Sequence, residues 1–230
     1  MKVLVIVAHL DGEFLGCGAT AARLVIKGYD GSFAILGEGL TSRHPDPGNS
    51  DGARLTALHR QAQAAAAKAG VKRVVLHNLP DNRLDTMPRL EVVKIVEGLM
   101  EDLRSEVVYT HHGGDRNFDH GVIHRALLTA TRPTVGQAVR EIYVFEIPTS
   151  TEWAFQRMEP SFRPHVFVEV THTIEAKIAE MECYESEARK LSQPRSPEAL
   201  RALATRWESV VGCAAAEAFE LVRSVRLQPN

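Results

Sequence analysis

Cysteine is scarce in this sequence. Cys17, Cys183 and Cys213 are odd in number, far apart and in no Cys-x-x-Cys pair. Neither a disulfide framework nor a zinc-knuckle pattern is present, and a reducing, cytoplasmic location is expected. Long apolar runs are missing too. The opening run at 3–8 meets His9 and Asp11 with no small-residue cleavage site, and it is far short of the roughly 20 residues of a membrane span. Charge of one sign is not in excess. With 27 Lys and Arg against 29 Asp and Glu, the formal net charge is −2, so no basic field invites nucleic acid or an anionic membrane. Aromatic residues are few at 6%, but hydrophobic residues reach 44% and charged residues 24%. That balance excludes disordered and low-complexity classes and fits a globular chain. The 230 residues are read as one domain spanning 1–230. The best candidate hinge, 191–197 (LSQPRSP), reads better as a joint between two helices.

The β-branched run at 3–7 suits a central strand covered on both faces. Further strands are expected over 31–36, 71–76, 106–110, 141–147 and 166–170. Helices are expected over 16–27, 54–69, 90–103, 122–131, 174–190 and 197–206, with a final helix over 212–223. Gly28 and Gly70 close two of the helices. The stretch at 37–52 is a long Gly-, Pro- and Asp-rich loop, of the kind that is usually functional. Alternation of strands and helices predicts an α/β fold: a Rossmann-like, open, mostly parallel sheet with helices on both faces.

Ligands in such sheets bind beyond the carboxyl ends of the strands. Two strand ends carry polar clusters: AHLDGE at 8–13 and THHGGDRNFDH at 110–120. Imidazoles and carboxylates together suit a divalent metal, with a further carboxylate as base. Either cluster alone would be explained by helix capping or loop polarity; two at equivalent strand ends point to a site. Gly12, Gly16 and Gly18 do not form the dinucleotide fingerprint. Asp81 and Asp85 follow the third strand, as sugar-hydroxyl ligands or as turn formers. Arg54 and Arg60 open the preceding helix, where one of them reaches into the site or, for Arg60 above all, the side chain lies on a solvated helix face.

At these residues the sequence resembles the PIG-L/LmbE family of metal-dependent N-deacetylases, over nearly the whole chain. The family's AHPDDE-x-x-G-x-G-G-T is matched by AHLDGEFLGCGAT, and its THHPGDLNxDH by THHGGDRNFDH. LPDNRLD at 79–85, ATRP at 130–133, FEIPTSTEW at 145–153 and AEAFEL at 216–221 match in order. The resemblance implies His9 and His120 as ligands of zinc or another divalent metal, and Asp11 as general base on the metal-bound water. It implies Asp119 as a partner orienting a histidine, and Asn117, His111 or His112 as oxyanion stabilisers. Arg54 and Asp81 would hold the substrate, an amino-sugar-type small molecule whose N-acyl group is hydrolysed.

The sequence also departs from the family pattern. The family's second aspartate, a metal ligand, is Gly12 here, and its proline is Leu10. Glu13, Asp115 or Asp11 itself would then have to fill the missing place. Ala215 and Trp207 stand where Tyr and Gly are expected. Two functions follow: an N-deacetylase with a rebuilt metal site, or a family member that has lost the metal ligand and binds, or otherwise transforms, a related molecule. The 37–52 loop and the segment after Glu146 are expected to shape the choice of substrate. Nothing suggests a nucleic-acid or membrane partner, and apolar helix surface from Glu169 onward leaves room for a homo-oligomer.

Overall fold

The computed structural model describes residues 1–40, 52–184, 191 and 193–226. Its elements are β1 (Lys2–Val7), α1 (Gly12–Ile26), β2 (Asp30–Gly37), α2 (Gly52–Lys68), β3 (Arg73–Leu79), α3 (Arg89–Leu103), β4 (Val107–His111), α4 (Phe118–Ala130), β5 (Glu141–Phe145), β6 (Val166–Glu169), α5 (Ile174–Met181), α6 (Pro197–Val211) and β7 (Ala216–Ser224). The seven strands form one sheet in the order β3-β2-β1-β4-β5-β7-β6. β3 through β5 are parallel, and β7 runs antiparallel to both β5 and β6.

Period-two alternation explains why both faces are covered. Val3, Val5 and Val7 enter one core, shared with Phe33, Ile35 and Tyr109 and with residues of α1, α2, α5 and α6. Leu4, Ile6 and Ala8 enter the other, shared with Ala34, Leu36 and Val108 and with α3 and α4. The expected α/β class, with a mostly parallel sheet and helices on both faces, is the observed one.

Several element boundaries differ from expectation: α4 begins at Phe118 rather than 122, α6 runs to Val211 rather than 206, and β3 covers Arg73–Leu79 rather than 71–76. The final helix expected over 212–223 is the strand β7. Its alanines and glutamates favour a helix locally, but Ala216, Ala218 and Phe219 are buried in the slot between β5 and β6, and pairing overrides propensity. Gly212, at φ +73°, closes α6 instead. α1 begins at Gly12, four residues before the expected start, and departs from helical angles at Cys17. The helix expected over 174–190 ends at Met181, with Glu182 to Tyr184 already outside it; residues 185–190 and most of the expected 37–52 loop lie outside the described residues.

The strand order places β2 and β3 on one side of β1, and β4 and β5 on the other. This reversal opens a crevice beyond the ends of β1 and β4. Among the described residues, no helix is long and apolar enough to cross a membrane.

Candidate functional site

A cavity of about 280 Å³ sits at that crevice, near the lower end of small-molecule sites. His9, Leu10, Asp11 and Gly12 line it from the β1–α1 turn, and Asp81 and Asn82 from the loop after β3. Arg116, Asn117 and His120 come from the β4–α4 region, and Ile147, Thr149, Ser150 and Trp153 from the segment after β5. Tyr184 and Arg195 close it from the C-terminal part of the chain.

The β1–α1 turn is tight. Gly12 N–H donates to His9 O at 3.2 Å, and Asp11 takes φ 82°, a left-handed conformation uncommon for a residue with a side chain. Asp11 is 3% exposed and precedes the first turn of α1, where Phe14 and Leu15 N–H bond to its carbonyl. Its carboxylate accepts from Arg195 Nη1 at 2.7 Å.

His9 Nδ1 donates to Asp81 Oδ1 at 2.7 Å. Its Nε2 is 3.5 Å from Asn117 Oδ1 and 3.8 Å from Asp119 Oδ2. Burial lowers the pKa of His9, but the Asp81 hydrogen bond and the nearby carboxylates outweigh it and raise the net value. His120 Nδ1 lies 3.1 Å from Asp115 Oδ1. Here burial wins over Asp115, and the imidazole is shifted down. Asp115 also accepts from Ser150 Oγ, from Thr151 Oγ1 at 2.6 Å and from Asn117 N at 2.7 Å. Burial alone would raise its pKa; His120 first, then the Ser150 and Thr151 hydroxyls, hold it below the usual carboxylate value.

Several candidates from the sequence lie behind the wall rather than on it. His111 is fully buried. Its Nε2 accepts from Ala8 N–H at 2.9 Å, and its ring stacks on His120 at 3.8 Å and 2°. Burial, then the neighbouring imidazoles, pushes its pKa well down, so it is a neutral brace. His112 turns away to Pro160 O, at 2.7 Å, and to Glu220, at 3.2 Å. Asp119 accepts from Leu84 N–H at 2.9 Å, while its Oδ2 is buried with no hydrogen-bond partner among the described residues. Burial raises its pKa. Asn117 caps α4, accepting from Asp119 N–H at 2.9 Å, and donates to Asn82 at 2.8 Å. Arg54, at the exposed start of α2, does not line the cavity, whereas Leu58 one turn later does. Asp81 lines it chiefly as the partner of His9. Glu13 turns inward to Tyr184, and burial pushes its pKa up to about 8.

Arg195 and Tyr184 were not found from the sequence. Arg195 lies in the stretch read as a joint, 184 positions from Asp11, and no local pattern marks it.

The donor set does not fit the metal of an N-deacetylase. A catalytic zinc takes three protein ligands and a water. His9 and His120 supply two imidazoles. Gly12, in the third place, has no donor side chain, and Asp11 beside it is paired with Arg195. Glu13 and Asp115, the other possible replacements, are engaged by Tyr184 and by His120, Ser150 and Thr151. Among the described residues, no group of three His, Cys, Asp or Glu side chains is placed to hold an ion. The gap is chemical rather than steric: a Cβ on Gly12 would stand 3.4 Å from Val7 Cβ and 3.5 Å from His111 Cε1, ordinary contacts.

Comparison with known proteins agrees with the fold. The chain is 29% identical over 173 residues to the uncharacterized deacetylase YaiS of Escherichia coli K12, covering 73% of this chain and 81% of that one. The N,N'-diacetylchitobiose deacetylase of Pyrococcus horikoshii superposes with a TM-score of 0.74 at 16% identity, covering 96% of this chain and 84% of its own. GalB, the 4-carboxy-2-hydroxymuconate hydratase of Pseudomonas putida KT2440, gives 0.73 at 20% identity, covering 100% and 99%. At these identities the two structures establish a shared fold. The sequence match goes further: the model of the PIG-L family, described as GlcNAc-PI de-N-acetylase, matches residues 4–131, more than half the chain. The protein belongs to the PIG-L family.

Proposed function

We propose that this chain is a PIG-L family member that has lost the metal ligand at Gly12. In this reading its pocket binds a small polar molecule of the amino-sugar type, or transforms it without metal-assisted hydrolysis. The observation that carries the proposal is the incomplete donor set: two imidazoles, a glycine in the third place and a guanidinium on the adjacent carboxylate. The likeness to a hydratase supports it, since a shared fold does not bind a protein to amide hydrolysis. Within the pocket, Asp11 and Arg195 form a fixed charge pair. His9, poised by Asp81, is the group suited to proton exchange with a ligand. Asn117, Asn82 and Thr149 offer hydroxyl-binding partners, and Trp153 an apolar face. Asp115 and His111 set the position of His120, Asp119 Oδ2 stands 3.8 Å from His9 Nε2 without a hydrogen bond to it, and Arg54 lies at the margin.

A second reading keeps the hydrolase and its zinc. It is favoured by the carboxylates on both cavity-lining histidines, Asp81 on His9 and Asp115 on His120, because metal-ligating imidazoles are oriented in this way. Elemental analysis of the dialysed protein separates the two, with Gly12→Asp in parallel. The proposal expects a wild-type protein essentially free of zinc and a variant that has gained it. One metal per wild-type chain would overturn it and leave the hydrolase.

A further inference from the structure

The pocket has lost a negative side chain at Gly12 and holds a positive one close by. Arg195 Nη1 donates to Asp11 Oδ2 at 2.7 Å, and Nε donates to Thr149 Oγ1 at 3.0 Å. The next residue, Ser196, caps α6 by accepting from Ala199 N–H at 3.1 Å, so the arginine projects from an anchored helix start. The pair is shielded, with side-chain exposures of 22% for Arg195 and 5% for Asp11. His9 and His120 line the same cavity.

We propose that Arg195 is the resident cation of this pocket, and that it excludes a divalent metal independently of the missing ligand at Gly12. The inference rests on the metal-free reading above and extends it to a second residue. A guanidinium is a donor with no lone pair to offer a metal, and it stays charged at every accessible pH. Asp11 is the carboxylate next to Gly12, and its Oδ2 is already neutralised by Arg195. An incoming dication would meet a fixed positive charge across a partly buried site, where such repulsion is poorly screened. Restoring the ligand at Gly12 is therefore only half of restoring the site.

The test is zinc affinity by competition with a chromogenic chelator, with folding checked by circular dichroism. The proteins are wild type, Gly12→Asp, Arg195→Gln, Gly12→Asp/Arg195→Gln and Gly12→Asp/Arg195→Lys. Removing the charge is expected to tighten zinc binding about tenfold or more in the Gly12→Asp background. The lysine variant, which keeps the charge, should stay close to Gly12→Asp alone. Equal affinity of Gly12→Asp and Gly12→Asp/Arg195→Gln would overturn the role of Arg195 while leaving the metal-free reading intact. Tight, stoichiometric zinc on the wild type would overturn both.

Discussion

Replacing Lys177 by methionine tests how α1, the helix that follows Asp11, is held. Lys177 Nζ donates to Glu217 Oε1 at 2.7 Å and to Leu15 O at 2.9 Å, with side-chain exposures of 5% for Lys177 and 6% for Glu217. Glu217 also accepts from Thr20 N–H at 2.7 Å and Ala19 N–H at 3.3 Å. Those donors lie just past Cys17, where φ −150° and ψ 28° interrupt the helix and free backbone groups from intrahelical pairing. The cluster thus fastens α1 to β7 and α5 at its irregular point. Methionine keeps the length of lysine and deletes the charge, leaving Glu217 buried and uncompensated. Breaking one side of a buried pair costs about 3–5 kcal/mol. At about 2–4 °C per kcal/mol for a chain of this size, the melting temperature should fall by roughly 6–20 °C. Urea and thermal unfolding of wild type, Lys177→Met, Glu217→Gln and the double variant measure this. The double variant should recover part of the loss, because glutamine keeps an acceptor for Thr20 N–H without the charge. A loss below about 1 kcal/mol for Lys177→Met, the range of a solvated pair, would refute the reasoning. So would simple additivity of the two substitutions.

Two other substitutions probe the same packing. Glu180 is fully buried with neither carboxylate oxygen hydrogen-bonded among the described residues, and burial, then the charge of Glu217, pushes its pKa up to about 8. The folded chain then holds a proton that the unfolded chain releases near 4.5, so this contribution to stability is complete below about pH 4.5 and is lost as pH rises towards 8. Glu180→Gln should flatten the decline of urea-measured stability between pH 5 and 8 by up to about 1.4 kcal/mol per pH unit; an unchanged slope counts against it. Gly16→Ala would place a Cβ 2.3 Å from the buried Phe145 ring. An overpacking loss of about 1–3 kcal/mol is expected in calorimetry, and a variant as stable as wild type would show that the ring yields freely.

The parallel half of the sheet was legible because its strands are short apolar runs that alternate between two cores, as Val3 to Ala8 do. β7 was not. AEAFELVRS has helix-forming residues, and only its partners β5 and β6 determine that it is a strand. The meeting of His9, Asp11, Asn117 and His120 on one cavity follows from strand-end topology, which sequence order reveals. What no local pattern could reveal is which second groups engage them. Asp81 turns to a histidine and Arg195 to Asp11 across long sequence separations, and both choices depend on loop conformations that tertiary packing decides.

The histidines are weak witnesses to metal chemistry, because each has a structural task. His111 accepts from Ala8 N–H and so ties β4 to the end of β1, and His120 lies flat against His111 at 3.8 Å. His9 joins the β1–α1 turn to the loop that carries Asp81. A chain that never bound zinc would still lose packing and hydrogen bonds by replacing any of them. Gly12 is different. Its backbone is helical and a Cβ there would make only ordinary contacts, so neither φ nor space demands a glycine. Glycine in a helix also costs up to about 1 kcal/mol relative to alanine. A residue that the fold does not require, at the one position where the family's third ligand would stand, bears on function more directly than three imidazoles that the fold does use. Arg195 on the neighbouring carboxylate points the same way from the other end of the chain. The balance between the two readings of this pocket therefore turns on Gly12 and Arg195, and substitutions there discriminate where histidine substitutions would not.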